Sequence, residues 1–288
     1  MTHYHIVHFV PSERHHGLYG YIEVIQSVAW GLTTLGHTVS YAKNQFSADT
    51  KNIVFGVQMA EWDMIKALPR GTIIYNLEQY HKYAFTDYAK DVFEYLVSNF
   101  EFWDYSEDNI VLWNKYQPKY PVSKVPIGYA PILTKIPKAQ DQDIDVLLYG
   151  SPSDNRVDII QRLCAQGLRV MFLYGFYGDA RDAMIARSKI VLNIGQYDQT
   201  FEVVRVSYLM ANSKAVVADL YEDITIESDI LDGVAFVGFD QVVPACLHLL
   251  AHDDVRKDLE DRAFASIQRR NISAILDLTL KGHMVVKP

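Results

Sequence analysis

The chain has 288 residues, of which 49% are hydrophobic and 22% are charged, and its formal net charge is −8. These values predict a soluble globular protein with a sizeable core, long enough for one large domain or two of ordinary size. The acidic balance argues against bulk binding to nucleic acid or to anionic membranes. The two cysteines, Cys164 and Cys246, show neither metal-ligand nor disulfide spacing, which favours a reducing, cytoplasmic compartment.

The amino-terminal residues predict a strand rather than a targeting segment. Residues 4–10 are mostly apolar, and neither a charged region nor a long apolar stretch precedes or follows them, as a signal peptide would require. No apolar run in the chain approaches the roughly 20 residues of a transmembrane helix. We therefore expect no membrane span.

Short apolar strands alternate with amphipathic helices along the first half of the chain. This pattern is typical of β-α-β units that form a mostly parallel sheet. The predicted strands are 4–10, 37–42, 52–57, 72–76, 101–105 and 123–126, and the main predicted helices are 18–35, 85–97 and 107–116.

A polar segment containing Pro137 interrupts the alternation, which then restarts. The second series predicts strands at 144–149, 168–174, 189–194, 215–218 and 234–237, separated by helices. We therefore predict an amino-terminal domain over 1–131, a linker over 132–143, a carboxyl-terminal domain over 144–271, and a tail, 272–288, that packs back on the first domain. The expected fold class is α/β, with two Rossmann-like domains facing across a cleft, so that ligands bind beyond the carboxyl ends of the strands.

Residues 201–219 predict a loop, a helix and a buried strand. Glu202 and Arg205 lie near the helix start, where backbone N–H groups and the helix dipole favour anions. A carboxylate at 202 can accept hydrogen bonds from two adjacent ribose hydroxyls, and a guanidinium at 205 can grip a diphosphate. The alternatives are an acid that only offsets the dipole and an i,i+3 ion pair between the two side chains.

A second helix start follows the predicted strand 144–149 and carries Gly150, Ser151 and Arg156. Small residues let the backbone approach a phosphate, and Arg156 adds positive charge. The alternative is an ordinary strand-to-helix turn with a Ser or Asp cap. Gly175 lies in a turn with three aromatic residues, which either frame a nucleobase or pack on the core.

Polar residues also follow strands of the first domain. Asn76 and Glu78 lie at the end of the predicted strand 72–76, which indicates either ligand contact or a helix-capping turn. His16, in the loop after the first strand, is a candidate base because imidazole titrates near neutrality, or else a solvated loop residue. Glu23, inside an apolar helix, is a further candidate acid.

Two stretches resemble the GT-B class of nucleotide-sugar glycosyltransferases. Residues 208–219, YLMANSKAVVAD, resemble the EAMACGxPVVAS segment of retaining GT-B families, and residues 125–131, VPIGYAP, are similar to the VPNGVD run that ends their first domain. The resemblance implies a hexosyltransferase-like enzyme whose second domain binds a nucleotide-sugar donor and whose first domain binds a saccharide, lipid-linked or other acceptor. It also implies that no metal and no cofactor is needed. If the reaction inverts configuration, Glu78, His16 and Glu23 are the candidate bases, and Arg205 would stabilise the leaving diphosphate.

The sequence departs from the retaining pattern at the two positions where glutamates are expected. Thr200 and Tyr208 occupy them, and Glu202 is the acid nearby. This departure keeps two alternatives open, a non-catalytic nucleotide- or sugar-nucleotide-binding protein on the same scaffold and a sugar-nucleotide epimerase. Three acids with DxD-like spacing lie in the linker and at a strand start, away from any expected site, so we predict no metal site there: Asp141, Asp143 and Asp145.

Overall fold

The structure, a computed structural model, describes residues 1–80, 87–195, 201–221 and 226–286, without the side chains of residues 13, 14, 16, 87 and 88. The chain divides into two compact units. Unit 1 comprises Met1–Ala130 and Asn271–Pro288, and unit 2 comprises Pro131–Arg270.

Unit 1 is built on a six-stranded sheet with the order β2-β1-β3-β4-β5-β6, in which every neighbouring pair is parallel. The central strands are buried, as expected for a parallel sheet with helices on both faces. The strands are β1 (His3–His8), β2 (Thr38–Lys43), β3 (Lys51–Phe55), β4 (Ile73–Asn76), β5 (Glu101–Asp104) and β6 (Val122–Lys124). The first helices are α1 (Ile22–Thr34), α2 (Trp62–Lys66), α3 (Asp87–Asn99) and α4 (Glu107–Asn114).

Unit 2 is built on a five-stranded parallel sheet with the order β11-β10-β9-β7-β8. Its core consists of the apolar side chains of β7, β9 and β10 and of the helices that cover them. The strands are β7 (Ile144–Tyr149), β8 (Val170–Leu173), β9 (Ser188–Asn193), β10 (Ala215–Asp219) and β11 (Ala235–Val237). The helices are α5 (Asp154–Ala165), α6 (Gly178–Arg187), α7 (Val203–Ala211), α8 (Ser228–Leu231), α9 (Val242–Ala251) and α10 (Asp253–Gln268).

The last helix, α11 (Ile272–Leu280), belongs to unit 1. Asn271 caps it through hydrogen bonds from the backbone N–H groups of Ser273 and Ala274. A Cβ atom on Gly128 would lie 2.8 Å from Ile272 Cδ1, so glycine is what allows this close approach. Beyond α11, Val286 N–H donates to Val122 O and Lys124 N–H donates to Met284 O, which pairs the tail with the edge strand β6.

The segment interpreted from the sequence as a linker is tied to unit 2. The Asn212 side chain, after α7, accepts hydrogen bonds from the N–H groups of Lys135 and Ile136 at 2.9 and 2.8 Å, and donates to Leu133 O at 3.0 Å. Gln142 donates to Ser188 O at 2.7 Å. These contacts fix residues 133–142 along the unit that follows them.

The predicted fold class is confirmed in its two parallel α/β domains of the Rossmann type. Within the described ranges, no helix is both long and apolar enough to cross a bilayer.

Candidate functional site

Three neighbouring strands of unit 2 end at the edge of the sheet where two helices begin. The order β10-β9-β7 places the exits of these strands side by side, and α5 and α7 start just beyond β7 and β9. The carboxyl edge of a parallel sheet is where open α/β domains bind ligands. The positive end of each helix dipole favours an anion there.

Arg205, in the first turn of α7, lies half-buried at this edge. Its Nη1 donates to Asn193 Oδ1 at 3.0 Å, and its guanidinium lies over the Tyr149 ring, with Cζ 5.2 Å from the ring centroid. Neither contact neutralises the charge, and Arg205 forms no ion pair within the described part of the chain. The i,i+3 pair with Glu202, considered as the alternative, is absent from the described ion pairs.

Gly150 is the residue that brings the exit of β7 against this guanidinium. Its φ of +134° lies in a region that side chains rarely adopt, and an added Cβ would sit 2.9 Å from Arg205 Nη2 and 3.0 Å from Arg156 Nη1. Because the glycine has no side chain, both guanidinium groups can lie close to this turn, where the Gly150 N–H donates to Leu173 O at 2.9 Å.

Arg156 has a different place from the one predicted. It is 1% exposed, its Nε donates to Ile194 O at 2.8 Å, and its Nη1 donates to Ser151 O at 2.7 Å. The side chain therefore links the loop after β7 to the loop after β9. Ser151 takes part through its carbonyl oxygen, and its own side chain is half-exposed.

Asp219, at the end of β10, holds the same loop from the other side. Its buried carboxylate accepts from Gly195 N–H at 3.1 and 3.3 Å, and burial raises its pKa although that hydrogen bond and Arg156 oppose the shift. Arg156 and Asp219 together fix the two residues, Ile194 and Gly195, that follow β9.

Glu202 precedes α7 and its carboxylate makes no capping bond to the helix. No hydrogen bond or ion pair within the described residues uses that carboxylate. Thr200, the first position where a glutamate was expected, lies outside the described residues.

Tyr208, the second such position, points to α6. Its hydroxyl donates to Asp182 Oδ2 at 2.7 Å, and the Arg181 guanidinium lies 4.7 Å from its ring centroid while donating to Asp182 Oδ1. The Asp182 carboxylate is thus occupied by its neighbours. It cannot replace the missing glutamate without breaking these bonds.

Gly175 lies in the turn after β8, with φ +78° and open space around it. Its neighbours Tyr174 and Phe176 are 54% and 48% exposed. Of the two interpretations of this turn, packing on the core is wrong for these two rings, which remain accessible for stacking.

Asn76, at the end of β4 in unit 1, lies inside a buried polar network. Its Nδ2 donates to Asp104 Oδ2 at 2.7 Å and to Glu78 O at 2.8 Å, and its Oδ1 accepts from Glu78 N–H. Asp104 also accepts from Trp113 Nε1 at 2.7 Å and from Asn109 Nδ2 at 3.2 Å. Burial raises the pKa of Asp104 to about 7 even though these donors lower it. Asn76 therefore shapes the turn that carries Glu78.

Glu78 itself is half-buried and accepts a hydrogen bond from the Tyr21 hydroxyl. Burial, together with Glu78, holds the pKa of Tyr21 well above its ordinary value, so this phenol stays a donor. His8, at the end of β1, is buried, bonds Leu18 O at 2.8 Å, and has a pKa lowered by burial. At this edge, the Glu78 carboxylate is therefore held by a neutral phenol, and the imidazole at the end of β1 has a pKa lowered by burial.

The remaining candidates of unit 1 are less informative. The His16 side chain lies outside the described part of the structure, and its neighbour His15 bonds the Ser12 hydroxyl at 2.9 Å. Glu23 is buried within α1. No group of three or more potential metal ligands occurs among the described residues, and the acids with DxD-like spacing pair with cations, Asp143 with Arg187 and Asp145 with Arg169.

Several residues of these two edges escaped the sequence analysis. Asn193 is the penultimate residue of the predicted strand 189–194, and Asp219 directly follows the predicted strand 215–218. A rule that flags every polar residue within one position of a strand end would have found both. Tyr149 and Tyr21 carry no such signal, because aromatic residues at these positions usually fill the core.

The chain has no match among protein-family models and none among curated proteins. Solved structures do resemble it. HepE of Anabaena, in complex with UDP and glucose, aligns with a TM-score of 0.64 at 10% identity, covering 98% of this chain and 100% of HepE. AviGT4, a glycosyltransferase of avilamycin A biosynthesis, aligns with a TM-score of 0.57 at 15% identity over 98% of this chain and 97% of its own. TarM aligns with a TM-score of 0.59 at 13% identity over 93% of this chain, which spans 58% of the TarM chain.

At these identities the similarity establishes the fold. The chain has the two-domain fold of GT-B glycosyltransferases, as the sequence resemblance predicted.

Proposed function

We propose that this protein is a glycosyltransferase that takes a nucleotide-sugar as donor, binds it in unit 2, and passes the sugar to an acceptor hydroxyl. The observation that carries the proposal is the half-buried Arg205 guanidinium, which has no ion pair within the described residues and lies against the backbone of Gly150 at the carboxyl edge of the sheet. A diphosphate leaving group needs such a charge as its bond to the sugar breaks. The GT-B fold, shared with HepE bound to UDP, supports the same assignment.

The other residues of unit 2 complete a donor site in this proposal. Glu202 would accept hydrogen bonds from the ribose hydroxyls, since its carboxylate makes no described contact of its own. Ser151 would offer its backbone N–H to the phosphates, and Gly150, whose own N–H donates to Leu173 O at 2.9 Å, would leave room for them. Arg156 would position these loops rather than touch phosphate, because it is buried and bonded to Ile194 O and Ser151 O. The turn at Gly175 would offer its exposed rings to the base.

Unit 1 would supply the acid–base chemistry on the acceptor side. Glu78 would take the proton of the attacking hydroxyl while the bond between the sugar and the diphosphate breaks, as an inverting reaction requires. The hydrogen bond from Tyr21 holds the carboxylate in one orientation. The reaction is proposed to need no metal, because Arg205 and the helix starts supply the positive charge. His16 stays a candidate base on the sequence alone.

A second candidate function is nucleotide or sugar-nucleotide binding without turnover. Tyr208 favours it, because a tyrosine bonded to Asp182 stands where the retaining pattern has a glutamate.

One screen separates the two functions. A panel of nucleotide-sugars is tested for a rise in unfolding temperature and for release of free nucleotide. Stabilisation with nucleotide release supports the transferase, and stabilisation without release under any acceptor supports the binding protein. If no nucleotide or nucleotide-sugar raises the unfolding temperature, unit 2 has no donor site and the proposal is wrong.

A further inference from the structure

A buried amide at the exit of β9 has a donor that the folded chain leaves unused. Asn193 is the last residue of β9 and is 0% exposed. Its Oδ1 accepts from Arg205 Nη1 at 3.0 Å, whereas its Nδ2 has no hydrogen-bond partner among the described residues. Because an unsatisfied buried donor is costly, it marks a place that a ligand or a water completes.

Arg205 decides which end of this amide is left over. A guanidinium carries donors only, so it must meet the amide oxygen and not the amide nitrogen. The nitrogen of Asn193 is therefore the atom that needs an acceptor. An asparagine in this position can support Arg205 and still offer two N–H bonds to a ligand.

The surroundings favour an anionic acceptor. Arg205 brings a positive charge with no ion pair in the described structure, and the positive end of the α7 dipole lies at Val203, two residues before Arg205. Asp219, at the end of the neighbouring strand β10, is not the acceptor for this amide. Its carboxylate accepts from Gly195 N–H, and burial raises its pKa. A phosphate oxygen satisfies an N–H donor and a guanidinium at once, which a neutral acceptor cannot do as well.

We propose that Asn193 binds the diphosphate of the donor directly through Nδ2 and, through Oδ1, positions Arg205 for the same group. The inference rests on the proposed function, since it assigns a further ligand-binding residue to the same site. It predicts that the amide, and not merely a residue of that size, is required at position 193.

The isosteric variant Asn193→Asp gives the sharpest test. The carboxylate keeps the shape of the amide and pairs with Arg205, but it replaces the N–H donor with a negative charge that repels phosphate. The probe is the nucleoside diphosphate that stabilises the wild-type protein most among UDP, TDP, CDP, GDP and ADP. Titration calorimetry should show about a 100-fold weaker affinity for this probe, while the parent nucleoside, titrated by NMR, binds as to the wild type.

Two further variants keep the test decisive. Asn193→Ala removes both contacts without adding charge and should weaken diphosphate affinity at least about 10-fold. Gln166→Glu makes the same change of charge at the exposed carboxyl end of α5, away from the site, and should bind like the wild type. Unfolding temperatures without ligand verify that each variant is folded.

The outcomes separate this inference from the proposed function. If the wild-type protein binds none of the five diphosphates, both are overturned. If it binds one and both Asn193 variants bind it within roughly twofold of the wild type, Nδ2 meets only water and the inference alone fails. An equal loss of affinity for the diphosphate and for the nucleoside would assign Asn193 a purely structural role and would also overturn it.

Discussion

The two sheets end in polar residues that look alike in sequence and differ in how their polar groups are satisfied. At the edge of unit 1, Asp104 is 0% exposed and accepts hydrogen bonds from Asn76, Asn109 and Trp113. At the edge of unit 2, the Asn193 amide nitrogen lacks a partner and Arg205 lacks an ion pair within the described residues. A polar residue after a strand therefore indicates a ligand only where the fold leaves its hydrogen bonds unmade.

The two edges also differ in charge, since unit 1 carries an acid and unit 2 carries a cation. Unit 1 holds a half-buried acid, Glu78, that accepts a hydrogen bond from Tyr21, whose pKa is well above its ordinary value. Unit 2 holds a half-buried cation, Arg205, in the first turn of α7, where the positive end of the helix dipole also favours an anion. The proposed function assigns proton transfer to the first edge and anion binding to the second, so variants of the first edge should affect turnover and variants of the second should affect diphosphate affinity.

The largest effect is expected from Glu78→Gln. The amide still accepts the Tyr21 hydrogen bond but cannot take a proton, so nucleotide release from the preferred donor should fall about 10³-fold. Affinity for the nucleoside diphosphate should not change. Glu107→Gln, an exposed acid of α4, is the control. Unchanged turnover in Glu78→Gln would remove the acid–base role from unit 1.

Arg205→Ala should reduce both nucleotide release and affinity for the nucleoside diphosphate. Loss of the guanidinium removes the charge that offsets the leaving diphosphate, so nucleotide release should fall about 10²-fold and diphosphate affinity should weaken with it. Arg262→Ala, on the exposed face of α10, is the matched control. Equal behaviour of the two variants would contradict an anion site at the edge of unit 2.

Gly150→Ala separates steric exclusion from backbone strain. The new Cβ would lie 2.9 Å from Arg205 Nη2, so diphosphate affinity should weaken about 10-fold in addition to a strain cost of about 1 kcal/mol. Gly167→Ala has a similarly unfavourable φ of +76° but open space around it, and should show only the strain cost. Calorimetric titration and chemical denaturation measure the two quantities. The same loss of affinity in both variants would show that strain, and not Arg205, is responsible.

The smallest effect on activity, and the clearest on stability, is expected from Asp104→Asn. The pKa of Asp104 is raised to about 7 by burial, whereas the pKa of an Asp in an unfolded chain is about 3.9. Between these values the folded chain holds one more proton, so the contribution of Asp104 to the free energy of unfolding falls as pH rises from about 4 to about 7.

Chemical denaturation at pH 5 and pH 8 measures that contribution. The fall in stability between the two pH values should be smaller in Asp104→Asn than in the wild-type protein. Asp108→Asn, an exposed neighbour on α4, should retain the wild-type dependence. An identical pH dependence in all three proteins would show that Asp104 is ionised in the fold.

The order of elements could be predicted from the sequence because apolar runs of strand length alternate with helical periodicity. The predicted strand 144–149 coincides with β7, and 72–76 differs from β4 by one residue. The predicted start of the first helix at residue 18 was wrong, because a 3-10 helix covers Glu13–Tyr21 and α1 begins only at Ile22. Both helix types bury apolar residues at similar spacing, so periodicity alone does not distinguish them.

The site could be predicted only in part. Arg205 and Glu202 could be proposed from the sequence because charged residues at a helix start suit an anion and a ribose, and their binding roles stay predictions. The buried position of Arg156 could not, since it depends on the Ile194 carbonyl that β9 brings beside it. The position of Asn193 near a strand end is visible in the sequence, but its unused N–H donor could not be predicted because it exists only in the folded chain.

Hydrogen–deuterium exchange in the presence of a saturating nucleoside diphosphate shows directly whether the nucleotide binds at the carboxyl edge of the unit 2 sheet. We predict slower exchange in three peptides: the loop after β7 with Gly150, the loop after β9 with Gly195, and the start of α7 with Arg205. Exchange at the exit of β4 should not change. Slower exchange confined to the residues around Glu78 would place the nucleotide in unit 1 and contradict the account.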